Sequence, residues 1–434
     1  MKRLLAGAAY TAALMALCAP AHAATTPETR PFAMFGGTAV DSFYATRNGH
    51  PLWLASGPDS PAARQLIEVL QRAPVEGLSD GPSIANQAQV LMNRAEAGDK
   101  AALMEADQLL STGWVQYVQL INRQPQGMTY AEQWIAPRTE SPRDILSLAA
   151  AAPSLAAHVQ SVSTVNPFYS ALRNVAYSES QSSTSMPDPR LLASLDRARA
   201  FPAKGRYIVV DAASARLLMV EDGHVADSMK VIVGKPTSQT PMVASVIHYA
   251  TLNPYWNVPP DLVQSIIAAN VVSQGTGYLK AHNYEVLSDF SDSPQVLAPK
   301  DVDWKAVAAG KATVRVRQLP GPANSMGHIK FGFANNSGVY LHDTPKKELF
   351  ASDSRDLSNG CVRLEDADRL GRWLLGRDPT PTSSAPEQQV LLPKAVPVYI
   401  TYLTARADDG QLTLMDDIYG RDQQQAGATM ASLR

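Results

Sequence analysis

Two side chains in the second half of the chain have the types and spacing for covalent chemistry. Cys361 lies in Ser358-Asn359-Gly360-Cys361-Val362-Arg363, a thiol on a polar, glycine-containing turn. His342 ends the apolar run Val339-Tyr340-Leu341, 19 residues upstream. A thiol attacks well once a base takes its proton, and imidazole is basic in the right range. A strand, a loop and a turn can fold that separation back into contact. Cys361 is therefore read as nucleophile and His342 as general acid/base. The backbone N–H groups of Gly360 and Cys361 are the candidate oxyanion donors, with Gly360 also giving the turn its freedom.

Arg363 stands two residues past the thiol, so in an extended stretch the two side chains share a face. It can lower the thiol pKa, bind a substrate carboxylate or orient the turn. The competing reading is an ion pair with Glu365 or Asp366. Ser358 supports the site by bonding the imidazole or substrate, or is simply a turn residue. Asp343 or a backbone carbonyl is expected to orient His342. Of the other histidines, His328 in Met326-Gly327-His328-Ile329 is a candidate for the cleft wall, whereas His50, His158 and His224 read as surface or packed residues. Scattered histidines and so few cysteines give no metal-ligand spacing, so neither metal nor cofactor is expected.

The N-terminus bears on this thiol. Lys2 and Arg3 precede the apolar stretch Leu4 to Leu17, and Ala21-His22-Ala23 fits a cleavage site. Residues 1–23 read as a signal peptide, with Ala24 first in the mature chain. Leu17 is larger than the small residue that lipoprotein processing prefers before a cysteine such as Cys18. Cleavage leaves Cys361 as the one cysteine of an exported protein, without an internal disulfide partner. A lone cysteine is commonly a buried, inert hydrophobe. An exposed thiol in an oxidising compartment is a liability unless used, which favours catalysis here.

The elements that must position these groups divide the chain. At 434 residues it exceeds one ordinary core. Its 45% hydrophobic and 18% charged composition is that of a folded protein, and a net charge of −2 gives no footprint for nucleic acid or an anionic membrane. After a flexible lead-in over 24–39, residues 40–177 carry helical periodicity: Pro61 in a first turn, Asp99 as cap of a long helix with Leu110, Trp114, Tyr117, Val118 and Ile121 on its apolar face, and Ser141-Pro142 opening another. Residues 178–199 read as a linker and one short helix. Strands follow: Tyr207–Val210, Arg216–Val220, Val225–Val233 after the Asp222-Gly223 hairpin signal, and Met242–Leu252. Asp261 is a candidate cap of the next helix. Residues 282–312 read as polar and irregular apart from a helical piece at 304–308, and such a connection suits a lid. Short strands, a helix over 365–375 and strands at 396–404 and 412–414 complete an α+β arrangement, a helical N-terminal domain followed by a mainly-β catalytic domain.

His342 followed by Ser358-Asn359-Gly360-Cys361-Val362-Arg363 resembles the L,D-transpeptidase (YkuD-type) motif, a His and then S/T-x-G-C-x-R/N. Val231-Ile232-Val233-Gly234-Lys235-Pro236, Asn253-Pro254-Tyr255-Trp256-Asn257-Val258-Pro259-Pro260, Tyr340-Leu341-His342-Asp343-Thr344-Pro345 and Tyr419-Gly420-Arg421-Asp422 are similar to the large periplasmic branch of that family. The resemblance covers about residues 200–425 and extends more weakly over the helical half, which resembles that branch's scaffold domain. It implies a catalytic domain over 200–425 with a capping loop at 282–324, and a tail at 426–434. It also implies a reaction. Cys361 would attack residue three of a peptidoglycan tetrapeptide stem, usually meso-diaminopimelate, and release D-alanine. The acyl group would then pass to a second stem as a 3→3 cross-link, and carbapenems would acylate the same cysteine. Peptidoglycan stems are thus the implied partners, with other cell-wall enzymes as candidates, in the periplasm and without a membrane span after signal cleavage. One departure stands out: the small helical peptidoglycan-binding module common in that branch has no counterpart here. Two alternatives stay open, namely the same chemistry attaching or releasing a wall-linked protein, and a non-catalytic wall-binding scaffold.

Overall fold

Capping residues set the helices of the first half. In the computed structural model, which describes residues 37–182, 187–408 and 410–422, the chain opens with α1 (Gly37–Thr46), α2 (Pro61–Arg72), α3 (Gly81–Glu96) and α4 (Lys100–Ile121). Then come α5 (Pro142–Ala151), α6 (Leu155–Thr164), α7 (Pro167–Ser182) and α8 (Pro189–Ala198). Ser60, Asp99, Ser141, Ser154 and Asp188 each accept a backbone N–H at a helix start. Proline at the first position of α2, α5 and α8 adds a preset φ. The apolar face of α4 packs Leu110, Trp114, Tyr117 and Val118 into a core shared with α2, α3, α5 and α6. Each such buried side chain contributes about 1.5–3 kcal/mol. The proposed signal peptide and most of the lead-in lie outside the described residues. Among those described, no helix is long and apolar enough to cross a membrane.

The second half is built of strands. They are β2 (Arg206–Asp211), β3 (Arg216–Glu221), β4 (His224–Gly234), β5 (Val243–Leu252), β6 (Trp256–Val258), β7 (Tyr284–Leu287), β8 (Val296–Leu297), β9 (Arg315–Gln318), β10 (Ile329–Phe333), β11 (Leu341–His342), β12 (Asp356–Ser358), β13 (Val362–Leu364), β14 (Gln388–Thr401), β15 (Ala405–Asp408) and β16 (Gln411–Leu414). The main ladder runs β5-β10-β11-β13-β4-β3-β2-β14, and β14 pairs back onto β5, closing the ring. Its interior is a core of Val210, Leu217, Val231, Ile247, Phe331, Leu341, Val362 and Val398. A ninth strand of this sheet, β1 (Thr129–Tyr130), comes from the helical half and pairs in parallel with Val243 and Ala244 of β5.

Residues 256–318 form a separate small layer. Strands β6-β9-β7-β8 make its sheet, and Val258, Ile267, Val286, Trp304 and Val316 fill its own core. The stretch that reads as irregular thus contains β7 and β8, which are too short and polar to announce themselves. The helix before them begins at Pro260 and contains a π-helical segment, Val263–Ala268. Asp261 sits inside its first turn rather than capping it, because Pro259 takes the cap position.

Candidate active site

Sheet register places the chemistry-bearing residues. His342 of β11 pairs with Arg363 of β13 on one side and with Lys330 of β10 on the other. Lys330 in turn faces Thr251 of β5, and Arg363 faces Ile232 of β4. Residues directly opposite across a ladder lie on one face, so Thr251, Lys330, His342, Arg363 and Ile232 form a row. Cys361 and Tyr340 precede Arg363 and His342 by two residues and share that face. The amide of Val362 donates to the carbonyl of Tyr340 at 3.0 Å, locking the cysteine strand against the histidine strand.

His342 is 4% exposed. Its Nδ1 lies 2.5 Å from the backbone oxygen of Asp343. A carbonyl only accepts, so Nδ1 carries the proton and Nε2 keeps a free lone pair. Burial lowers the imidazole pKa to about 4, against the bond to Asp343, and Arg363 and Lys330 lower it further. The ring is therefore neutral at pH 7 and able to accept a proton. Burial also pushes the Cys361 thiol up, although the Tyr340 backbone N–H and the Arg363 charge favour the thiolate. The resting pair is thus thiol and neutral imidazole. The Cys361 Sγ lies 3.8 Å from the Gly338 carbonyl oxygen.

Residues 205–400 match the family model of the L,D-transpeptidase catalytic domain, YkuD, and residues 38–175 match that of the scaffold domain. The chain carries a YkuD-type L,D-transpeptidase catalytic domain behind a scaffold domain. A Haemophilus influenzae protein named "Putative L,D-transpeptidase" is 28% identical over 391 residues, covering 88% of this chain and 77% of that protein. An L,D-transpeptidase from Mycobacterium smegmatis aligns at 13% identity and a TM-score of 0.23, over 46% of this chain and 59% of that one. An L,D-transpeptidase solved in complex with imipenem aligns at 11% identity and a TM-score of 0.22, over 46% and 60%. The aligned part thus amounts to about three-fifths of the length of those solved chains.

In this L,D-transpeptidase domain Ser358 is a turn residue. Its hydroxyl donates to the Cys361 carbonyl at 2.6 Å and accepts the Gly360 amide at 3.1 Å, without reaching the imidazole. The Gly360 N–H expected as an oxyanion donor is therefore engaged, whereas among the described residues the Cys361 amide has no acceptor. Gly360 has φ +115°, a conformation that explains glycine there. Arg363 forms no ion pair with its acidic neighbours: Glu365 accepts the Lys230 amide and Asp366 caps the helix Ala367–Leu375.

The Asp343 side chain turns away from His342. It accepts from His328 Nδ1 at 2.7 Å and from Lys347 Nζ at 2.7 Å, and Lys347 also donates to the carbonyls of Leu364 and Glu365. Burial works against its charge, yet His328 and Lys347 hold the carboxyl well below the usual range. His328, bonded on its other nitrogen to Asp368, is raised to about 9, chiefly by its bond to Asp343. Both ring nitrogens of His328 are thus engaged within this cluster. Gly327 permits the approach, because a Cβ there would collide with the Asp343 carboxylate.

Three residues escaped notice in the sequence. Tyr340 faces Cys361, and its phenol is raised by burial and then by the neighbouring thiolate charge. Lys330 adjoins His342. Thr240 is fully buried: its hydroxyl donates to the Gly360 carbonyl and accepts the Gly234 amide, both at 2.8 Å. The Tyr419 hydroxyl bonds the Gly234 carbonyl, and Arg421 bonds the Thr240 carbonyl. The Gly234 and Tyr419 stretches, far apart in sequence, therefore converge on the cysteine turn. Only Tyr340 carried a signal, its period-two spacing from His342.

Proposed function

We propose that the protein is a peptidoglycan L,D-transpeptidase that makes 3→3 cross-links through a Cys361 acyl-enzyme. The observation that carries this reading is the shared face of Cys361, His342 and Arg363, with His342 Nε2 left free by the bond at Nδ1. In this mechanism Nε2 takes the thiol proton as Sγ attacks the carbonyl of residue three of a tetrapeptide stem. The Cys361 N–H stabilises the oxyanion. Collapse breaks the bond to D-alanine, whose amine takes the proton from His342. The amine of a second stem then attacks the thioester; His342 accepts its proton and passes it to the departing sulfur, which restores the Cys361 thiol and the neutral imidazole. Arg363 holds substrate charge near the nucleophile.

The capping loop of this site is the stretch 282–324, and the active location is the periplasm, reached through the signal peptide at residues 1–23. Incubating disaccharide-tetrapeptide with the protein and with Cys361→Ala tests the function by mass spectrometry. A dimer lacking one D-alanine, absent with the variant, is expected. Monomer shortened to tripeptide would replace transpeptidation by hydrolysis.

A further inference from the structure

Two cations flank His342, and they differ in how they are balanced. Among the described residues Arg363 has no carboxylate partner. Lys330 is paired with Glu387, Nζ to Oε2 at 3.2 Å, with the lysine side chain 17% and the glutamate 37% exposed. Glu387 is fixed: its Oε1 accepts the Tyr255 amide at 2.7 Å, its own amide donates to Asn253, and its φ is +55°. Lys330 Nζ also lies 5.9 Å from the centroid of Tyr340, the ring that faces Cys361. Next in the row, the buried Thr251 hydroxyl has no hydrogen-bond partner among the described residues.

An unbalanced cation matches a lone carboxylate. A cation and anion side by side match a group that carries both charges, since each member gains a partner without losing its own neutralisation. Lys330 lies two strand spacings, about 10 Å, from the strand that bears Cys361. A substrate residue whose carbonyl meets Cys361 would lay its side chain across His342 and end at this pair.

We propose that Lys330 and Glu387 form a subsite for a zwitterionic amino-acid end on the third residue of the stem, the end that a diaminopimelate side chain presents and a lysine side chain lacks. Lys330 takes the carboxylate, Glu387 takes the ammonium, and the Thr251 hydroxyl adjoins the carboxylate. This rests on the stem-peptide reading above.

The test compares three disaccharide-tetrapeptides: one with diaminopimelate, one with its side-chain carboxylate amidated, and one with lysine at that position. The intact protein is expected to prefer the first by about tenfold or more in kcat/KM. Lys330→Met and Glu387→Gln should each bring that ratio to within about twofold of unity, and Lys330→Arg should keep it. Melting temperatures and Cys361 alkylation confirm that the variants are folded. A wild type that treats the three stems alike, or a Lys330→Met variant that keeps the preference, overturns the subsite alone. Failure on every stem with Cys361 still alkylated overturns the transpeptidase reading, and the subsite with it.

Discussion

His342 donates its Nδ1 proton to the backbone oxygen of Asp343, the residue that follows it. The tautomer is thereby set by a peptide group, and the Asp343 carboxylate is left for other work. It holds His328 and Lys347, and Lys347 reaches on to the carbonyls that end the cysteine strand. The orientation of one peptide unit thus ties the His342 ring to the strand that follows Cys361.

Lys347→Met and Asp343→Asn should loosen that tie. Each is expected to lower kcat by about tenfold with KM nearly unchanged, because misplacing a base acts in the transition state. Lys347→Arg should recover much of the loss. Steady-state kinetics on the tetrapeptide checks this, and an effect confined to KM would contradict it.

Cys361→Ala should abolish acyl-enzyme formation and change stability by less than about 1 kcal/mol, since one small side chain replaces another. His342→Ala should slow acylation by a carbapenem about 10²- to 10⁴-fold. Intact-mass kinetics reads both, and undiminished labelling of the Cys361→Ala variant would refute the assignment of the nucleophile.

Stability should depend on pH in two windows. The folded pKa of His342 is lowered from 6.5 to about 4, so the unfolded chain binds more protons in between. Stability is then lost as pH falls from 6.5 toward 4, by about 3 kcal/mol. His328 is raised to about 9, so its contribution is full below 6.5 and fades as pH rises through 9. Urea unfolding of the wild type and His342→Gln across pH should show the acid loss only in the wild type.

Thr240→Val leaves the Gly234 amide and the Gly360 carbonyl without their buried partner. A cost of about 1–3 kcal/mol is expected, with weaker acylation because the cysteine turn relaxes. Denaturant midpoints and labelling rates measure the two effects.

Much of this was legible because local chemistry and tertiary structure agree. Pro61, Asp99 and Ser141-Pro142 announce helix starts wherever they stand, and the structure begins α2, α4 and α5 at them. The Cys361–Arg363 alternation predicts a shared face, and the strand delivers it. The missed features depend on partners distant in sequence. Thr129-Tyr130 is too short for any periodicity and becomes a strand only because β5 offers an edge. Thr240 sits among polar loop residues and gains its role from Gly234 and Gly360. The engaged Gly360 amide follows from the Ser358 rotamer, which no spacing encodes.

The two-residue strand β1 has a consequence for how the molecule comes apart. It occupies the part of the β5 edge left open where β10 ends at Phe333. Arg199 reinforces the junction by donating to the carbonyls of Glu76 and Leu120. A fragment beginning at residue 200 would expose unpaired backbone on β5, an edge of the kind that recruits other chains. The helical half therefore covers an edge that the barrel leaves open. Melting should be a single cooperative event, and the truncated barrel should self-associate.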